Sequence, residues 1–425
     1  MIFFWGLMYN IVFIPLAYIG YYMAFLFNEK IRKGVYGRRQ TNRELILYRE
    51  QNPNKKVILV HSASLGEFEQ AKPVIRGLKA LRPDIDIIAS FASPSGYENA
   101  DRLEEVSLFI YLPIDTLIRT DRFLSTLKPE KIIFVTYELW PNLVINALRY
   151  KIPTYLMSAR IRKKSLKWLP IIRTFFSEIY RCLDHIYAVS EEDSKSMKKL
   201  VGTVDVKVLN LGDTRYDQVV QRAERNIDGK VPRVYDQGFV FVGGSVWPQD
   251  VEQLLPALIE IMKEEKQVKA IIAPHEPSSY ALEMLETRFL NAGFETMRLS
   301  DLQNMDETRR ILLVDKVGVL PEIYHQCDAA FVGGSFRKSI HNVMEPAVVG
   351  IPIFFGPIYH NSREAESLIE KGGAKTCQNS EELYENIGKV IRDPQVYKRM
   401  SNSARQVIIE NLGASARTVK EILES

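Results

Sequence analysis

The chain has 425 residues, 46% of them hydrophobic and 25% charged, the balance of a folded protein too long for one ordinary core. A formal charge of +4 at this length gives no concentrated basic face, so nucleic acid is not expected as a partner. Three cysteines, Cys182, Cys327 and Cys377, stand too far apart for a disulfide framework or a cysteine-based zinc site, which suits a reducing compartment.

The N-terminus departs from this average. Met1 to Phe27 contains no Asp, Glu, Lys or Arg and is rich in Phe, Tyr, Ile and Leu. As a helix it would reach roughly 40 Å at about 1.5 Å per residue, against a hydrocarbon core of about 30 Å. Neither the basic start nor the small-residue exit of a cleaved signal peptide is visible. Lys30, Arg32, Lys33, Arg38, Arg39 and Arg43 follow at once, and by the positive-inside rule they hold the body in the cytoplasm. Residues 1–28 are therefore expected to anchor the chain in a membrane. The alternative is a helix packed on the body.

Beyond the anchor, short apolar runs alternate with amphipathic stretches, the pattern of a parallel α/β sheet. Strands are expected at 57–61, 87–91, 108–112, 131–135, 154–158, 185–189 and 206–211. Phe68, Ala71, Val74, Ile75, Leu78 and Leu81 mark a helix between the first two. The polar stretch 222–237, with Gly229 and Pro232, reads as a linker between a first domain at 29–221 and a second at 238–425. The second series places strands at 239–243, 268–273, 310–315, 329–332 and 352–355. The tail from Pro394 to Glu424 is helical and is expected to pack across both domains. Two doubly wound halves imply a cleft, with ligands at the carboxyl ends of the strands.

The loop after the first strand reads His61-Ser62-Ala63-Ser64-Leu65-Gly66-Glu67. Gly66 permits a tight strand-to-helix turn, and the helix dipole at Glu67 favours an ionised carboxylate. Such a group suits a general base; the other reading is that Glu67 only caps its helix.

These residues and five later segments resemble the Kdo transferases (3-deoxy-D-manno-octulosonic acid transferases, glycosyltransferase family 30). The segments are Ser64-Leu65-Gly66-Glu67, Glu138-Leu139-Trp140-Pro141-Asn142, Ser158-Ala159-Arg160, Gly212-Asp213-Thr214-Arg215-Tyr216-Asp217, Phe331 to Ser335 and His341 to Pro346. The resemblance implies a GT-B fold, with two Rossmann-like domains facing a cleft. It implies an inverting glycosyltransferase that moves Kdo from CMP-Kdo to a lipid A precursor in lipopolysaccharide inner-core synthesis, on the cytoplasmic side of a bacterial inner membrane. Glu67 would be the general base, and Glu138 and Arg215 would stabilise the transition state. Pro274, His275, Gly318, Val319, Leu320, Asn342, Val343, Met344 and Glu345 match CMP-binding segments.

On the donor side, Gly333 and Gly334 let backbone N–H groups approach a phosphate, and a helix starting near His341 presents its positive end to it. The departing CMP carries one phosphate, so helix ends and a cation such as Arg215 are expected to suffice without a metal or other cofactor. The lone Asp-x-Asp, Asp84-Ile85-Asp86, reads as a solvated turn. On the acceptor side Arg160, Arg162, Lys163, Lys164 and Lys167, beside Trp168, Leu169, Ile171 and Ile172, suit an anionic lipid at a membrane surface. Two alternatives are a nucleotide-sugar epimerase of the same fold and a non-enzymatic tether. The anchor argues against the first, and the joint presence of Glu67, Glu138, Arg215 and Glu345 argues against the second.

Overall fold

The computed structural model describes residues 2–136, 138–161, 165–203, 205–225, 231–304 and 309–425. They form two compact units, residues 1–218 with 412–425, and residues 219–411.

The first unit carries β1 (Val57–Ser62), β2 (Asp86–Phe91), β3 (Val106–Tyr111), β4 (Lys131–Val135), β5 (Thr154–Ala159), β6 (His185–Ala188) and β7 (Lys207–Asn210), all parallel, in the order β3-β2-β1-β4-β5-β6-β7. β1 and β2 are buried along their whole length. Continuous apolar runs follow, because helices cover both faces of such a sheet. The strand order reverses beside β1, so the loops leaving β1 and β4 flank the topological switch point, where open α/β sheets bind ligands.

The second unit repeats the plan. It has β8 (Phe239–Val246), β9 (Val268–Pro274), β10 (Thr296–Arg298), β11 (Ile311–Leu313), β12 (Ala329–Val332), β13 (Ile353–Phe355) and β14 (Ala374–Thr376), in the order β10-β11-β9-β8-β12-β13-β14. Its switch point lies between β8 and β12. The sequence pattern misses β10 and β14. Both are three-residue edge strands, and Thr-Met-Arg and Ala-Lys-Thr offer no apolar run.

Two further expectations change. The stretch taken as a linker begins inside a helix, Thr214–Arg225, while residues 226–230 lie outside the described ones. Asp86 is not in a solvated turn: it is buried at the start of β2, accepting the Tyr48 hydroxyl at 2.6 Å. In the tail, Pro394–Glu410 stays with the second unit and Ala414–Glu424 with the first. Asp217 fixes that last helix, accepting the Gly413 and Ser415 N–H groups at 2.7 and 2.6 Å.

The N-terminal helix runs Ile2–Met8, widens to a π turn at Tyr9–Phe13 and continues as Ile14–Phe27. Pro15 explains the widening, since its ring clashes with the carbonyl of an α-helical turn behind it and it has no N–H to donate. Phe4–Phe27 is long and apolar enough to cross a membrane, and none of it is buried. Its first turns also dock on the first unit. The Tyr9 hydroxyl donates to Asp115 at 3.0 Å, and Asn10 and Asn142 exchange amide hydrogen bonds at 2.8 and 3.0 Å. Trp5, Tyr9 and Phe13 surround the Phe175 ring.

Two glycines make contrasting demands. A Cβ on Gly333, after β12, would stand 2.2 Å from the Ser245 carbonyl oxygen, whereas one on Gly66 would meet nothing within 4 Å. Gly66 sits inside the helix Leu65–Leu81 without a positive φ, so the turn does not require glycine there. Gly333→Ala is expected to lower stability by about 1–3 kcal/mol, because the neighbour is backbone and cannot step aside. Gly66→Ala should raise it by about 0.5–1 kcal/mol through helix propensity. Urea denaturation of both variants checks this pair.

Candidate functional site

In the first unit the loops after β1 and β4 are tied together by a buried histidine. The Trp140 indole N–H donates to His61 Nε2 at 2.8 Å, which leaves the ring proton on Nδ1, 3.0 Å from Ser90 Oγ. Burial holds His61 neutral, with a pKa lowered to about 3. This clamp fixes the start of the loop that leads to Glu67. Beside it, Ser62 Oγ is buried with no hydrogen-bond partner among the described residues.

Glu67 is 7% exposed, in the first turn of the helix Leu65–Leu81. Its carboxylate turns back onto its own loop, accepting the Ala63 N–H at 2.5 Å and that of Ser64. This is half of a capping box. Against the helix dipole's preference for the ionised form, burial lifts its pKa to about 7. The two N–H groups oppose that rise, and the charge of nearby Glu138 adds to it. Desolvation of a carboxyl outweighs the helix N-terminus here. Glu138 itself stays in contact with solvent, and partial desolvation raises its carboxyl while Lys167 pulls it down.

Lys167 does not stand out as a docking cation on the surface. Its ammonium donates to the Tyr180 hydroxyl at 2.7 Å and lies over the Phe176 and Tyr180 rings. Burial lowers its pKa to about 8, with Glu138 opposing. Arg162, Lys163 and Lys164 lie outside the described residues. Leu169 and Ile171 are exposed.

Arg160 and Arg215 meet at one carboxylate. Arg215 grips Asp213 at 2.7–3.2 Å through Nε and Nη2, and Arg160 reaches the same group at 2.5 Å. Burial alone would raise the Asp213 pKa, but the two guanidinium groups more than offset it and hold it low. The two guanidinium groups thus share one carboxylate beside the strand ends. Arg160, expected among the lipid-binding residues, is thus part of the Arg215 cluster. Close by, Ser158 and Thr214 share a hydrogen bond at 3.1 Å and Thr214 donates to the Gln70 carbonyl at 2.8 Å. Thr136 and Ser158, at the ends of β4 and β5, have φ of 67° and 52°. Non-glycine residues in that region are strained and gather at functional sites.

In the second unit the strand ends carry a stacked cluster. Trp247 lies on His275 with ring centroids 4.3 Å apart, and His275 on His341 at 4.4 Å. The Trp247 N–H donates to His341 Nε2 at 2.9 Å, and the Arg337 guanidinium sits 3.6 Å over the indole. Burial, with His275 and Arg337 adding, lowers the His341 pKa to about 4 and keeps it neutral. Sequence reasoning missed Trp247 and Arg337, although Trp247-Pro248 directly follows β8 at the switch point.

The glycine loop differs from its expected role. Gly333 N–H is spent on the Gly244 carbonyl at 2.9 Å, and Gly334 N–H on Asp250 at 2.7 Å. Asp250, fully buried, also accepts from Phe336 and Trp247. These donors are therefore not open to a phosphate, and the glycines answer backbone crowding. The helix expected near His341 starts at Met344 and has six residues, its first N–H capped by Asn342 at 3.0 Å. Val343 and Met344 are buried, so only their backbone is available to a nucleotide. Glu345 pairs with Arg222 at 3.2 Å. Gly318 has φ of 84°, with open space around it, and precedes half-buried Val319 and Leu320. Pro274 closes β9 directly before His275. Among the described residues, no three His, Cys, Asp or Glu side chains gather as metal ligands would.

Comparison with known proteins gives a consistent family. Residues 38–218, ending where the first unit ends, match the family model described as 3-deoxy-D-manno-octulosonic-acid transferase (kdotransferase). The 3-deoxy-D-manno-octulosonic acid transferase of Rickettsia typhi is 27% identical over 366 residues, 85% of this chain and 78% of that protein. Those of Aquifex aeolicus and Haemophilus influenzae are 28% and 25% identical, covering 79% and 86% of this chain and 86% of each relative. Among solved structures, the UDP-GlcNAc 2-epimerase from Neisseria meningitidis bound to UDP-GlcNAc aligns with a TM-score of 0.61 over 87% of this chain and all of that one. At 17% identity that likeness is one of fold. With its two doubly wound sheets of GT-B type, the chain is similar along most of its length to the 3-deoxy-D-manno-octulosonic acid transferases (Kdo transferases).

Proposed function

We propose that the chain transfers Kdo from CMP-Kdo to a hydroxyl of a lipid A precursor of the lipid IVA type, inverting the anomeric carbon. The enzyme works on the cytoplasmic side of a bacterial inner membrane, anchored by Phe4–Phe27. Glu67 takes the proton of the acceptor hydroxyl as its oxygen bonds to the anomeric carbon. The bond from that carbon to the phosphate oxygen breaks, and CMP leaves with the electron pair. Glu138 and the Arg160–Asp213–Arg215 cluster balance charge as it develops, without a metal. The donor is assigned to the second unit, to Pro274, His275, the 318–320 turn and the 342–345 segment. The backbone serves at Val343 and Met344, and Trp247 and Arg337 complete the surface.

The observation that best supports this reading is a carboxyl poised at about 7 in the first turn after β1. A base works best when its pKa lies near the working pH, protonated neither too tightly nor too loosely. The open space at Gly66 leaves room for an acceptor to approach the helix backbone beside it. The epimerase reading shares the fold but gives no use for an apolar helix docked on the loop network. Mass analysis of products from CMP-Kdo with a tetraacylated lipid A precursor separates the two readings. Kdo adducts that form only with lipid present are expected, and they should persist in EDTA. Conversion of the nucleotide-sugar without lipid would replace transfer by epimerisation.

Glu67→Gln should lower kcat by about 10²–10⁴-fold, the usual contribution of a general base. In the parent enzyme kcat/KM is expected to rise with pH through about 7 and then level off. Stability should respond in the opposite sense. The folded-state pKa lies above the ordinary carboxylate value, so the folded chain keeps a proton that the unfolded chain has released. Ionising Glu67 therefore costs stability progressively as pH rises from the unfolded value through about 7. Glu67→Gln should melt at or above the parent at pH 8, with no such gain at pH 4. A lower melting temperature at pH 8 would assign the carboxylate to capping.

A further inference from the structure

The N-terminal helix and the body of the first unit enclose an open cavity of about 180 Å³ that neither the base nor the donor cluster uses. Ala17, Tyr18 and Tyr21 form one wall; Leu112, Ile114 and Trp140 form the other. On the remaining sides of the helix Leu16, Ile19, Met23 and Leu26 are exposed, as they would be against hydrocarbon.

We propose that this cavity holds part of one acyl chain of the lipid acceptor, placing its sugar headgroup toward Glu67 and Glu138. The inference rests on the Kdo-transfer reading and names how the acceptor is gripped. Three observations carry it. First, the two charged groups at the cavity, Asp115 and Arg38, are already hydrogen-bonded within the protein. Asp115 accepts from the Asn142 and Leu143 N–H groups and from Tyr9. Arg38 donates to the carbonyls of Leu112, Gly34 and Ala92 and to the Tyr21 hydroxyl. Apolar cavities with no polar demand stay dry and take hydrocarbon; one of about 150 Å³ holds a benzene ring. Second, Ile14, Ala17, Ala92, Leu112, Pro113 and Ile114 give the cavity an apolar lining that suits hydrocarbon. Third, Trp140 is at once a cavity wall and the donor that fixes His61 in the base loop, and Glu138 lies two residues before it. That adjacency favours the acceptor over a bulk phospholipid.

The test uses the full chain in phospholipid nanodiscs and an acylated glucosamine disaccharide bisphosphate carrying a diazirine in one acyl chain. After irradiation, peptide mapping is expected to place adducts on the Leu112–Ile114 segment and Trp140, which belong to the body and not to the membrane helix. Ala17→Trp, which fills the cavity from the helix side, should suppress those adducts and raise KM for the acylated acceptor about ten-fold, with kcat at saturation little changed. Ile114→Trp fills it from the opposite wall, should Ala17→Trp not fold. Adducts confined to the outer helix face would overturn the proposal, as would equal labelling by a diazirine phosphatidylglycerol or an unaltered KM in both variants. Correct labelling without any Kdo transfer by the parent chain would leave the acyl site standing and remove the transfer reading.

Discussion

Taking a carboxyl group out of water while keeping it able to ionise is the constraint around which the first unit is built. Glu67 has lost nearly all contact with solvent, and that loss pushes its pKa up. Two backbone N–H groups at the helix start pull it back, and Glu138 pushes it up again. The balance falls near 7 because desolvation outweighs the two N–H groups without cancelling them. It depends on the loop being rigid, since a shift of a few tenths of an ångström at Ala63 would alter the strongest opposing hydrogen bond. His61 supplies that rigidity. Its neutral ring is held on one side by Trp140 and on the other by Ser90, joining the loops after β1 and β4 at the switch point.

The second unit solves a related problem with the opposite arrangement. Asp250 is buried as well, but its oxygens are spent on backbone donors of Trp247, Gly334 and Phe336. Burial still raises its pKa, yet the group acts as mortar between the turn after β8 and the turn after β12. What gathers at those strand ends is a stack of indole, two imidazoles and a guanidinium. Aromatic faces and an arginine plane are suited to a base, a ribose or a planar anion. Capture of phosphate by a glycine loop would need open N–H groups, and here they are occupied.

Both parallel sheets were legible because strands buried on both faces must be continuously apolar, and Ile132–Val135 or Ala270–Ile272 cannot be read otherwise. β10 and β14 escaped because an edge strand of three residues needs no such run. At the site, the position of Glu67 followed from its place after β1. Its protonation did not, since burial is a property of the assembled core and the local helix dipole is the smaller effect. The same limit hid Asp115, Asp217 and Asp250. Each serves backbone donors between 27 and 198 residues away in sequence, and no local spacing signals such a partner. Lys167 looked like a surface cation for a similar reason. Only the fold brings Tyr180 and Phe176 around it.

The N-terminal helix is tied by hydrogen bonds to the loop that holds Glu67. A helix serving only as a tether would end its polar contacts at the body's surface and pass through a flexible linker. Here Asn10 is bonded to Asn142, Asn142 lies two residues beyond Trp140, and Trp140 holds His61 in the base loop. The helix Glu29–Gln51 follows after a single residue, Asn28, whose side chain accepts the Ile31 N–H as its cap. A short, capped junction leaves little freedom for the body to turn about its anchor. Whatever orientation the apolar helix adopts in a bilayer is therefore passed to the loop that holds Glu67. In the proposed reaction, a lipid acceptor presented from that bilayer would meet Glu67 at a height set by the same hydrogen bonds.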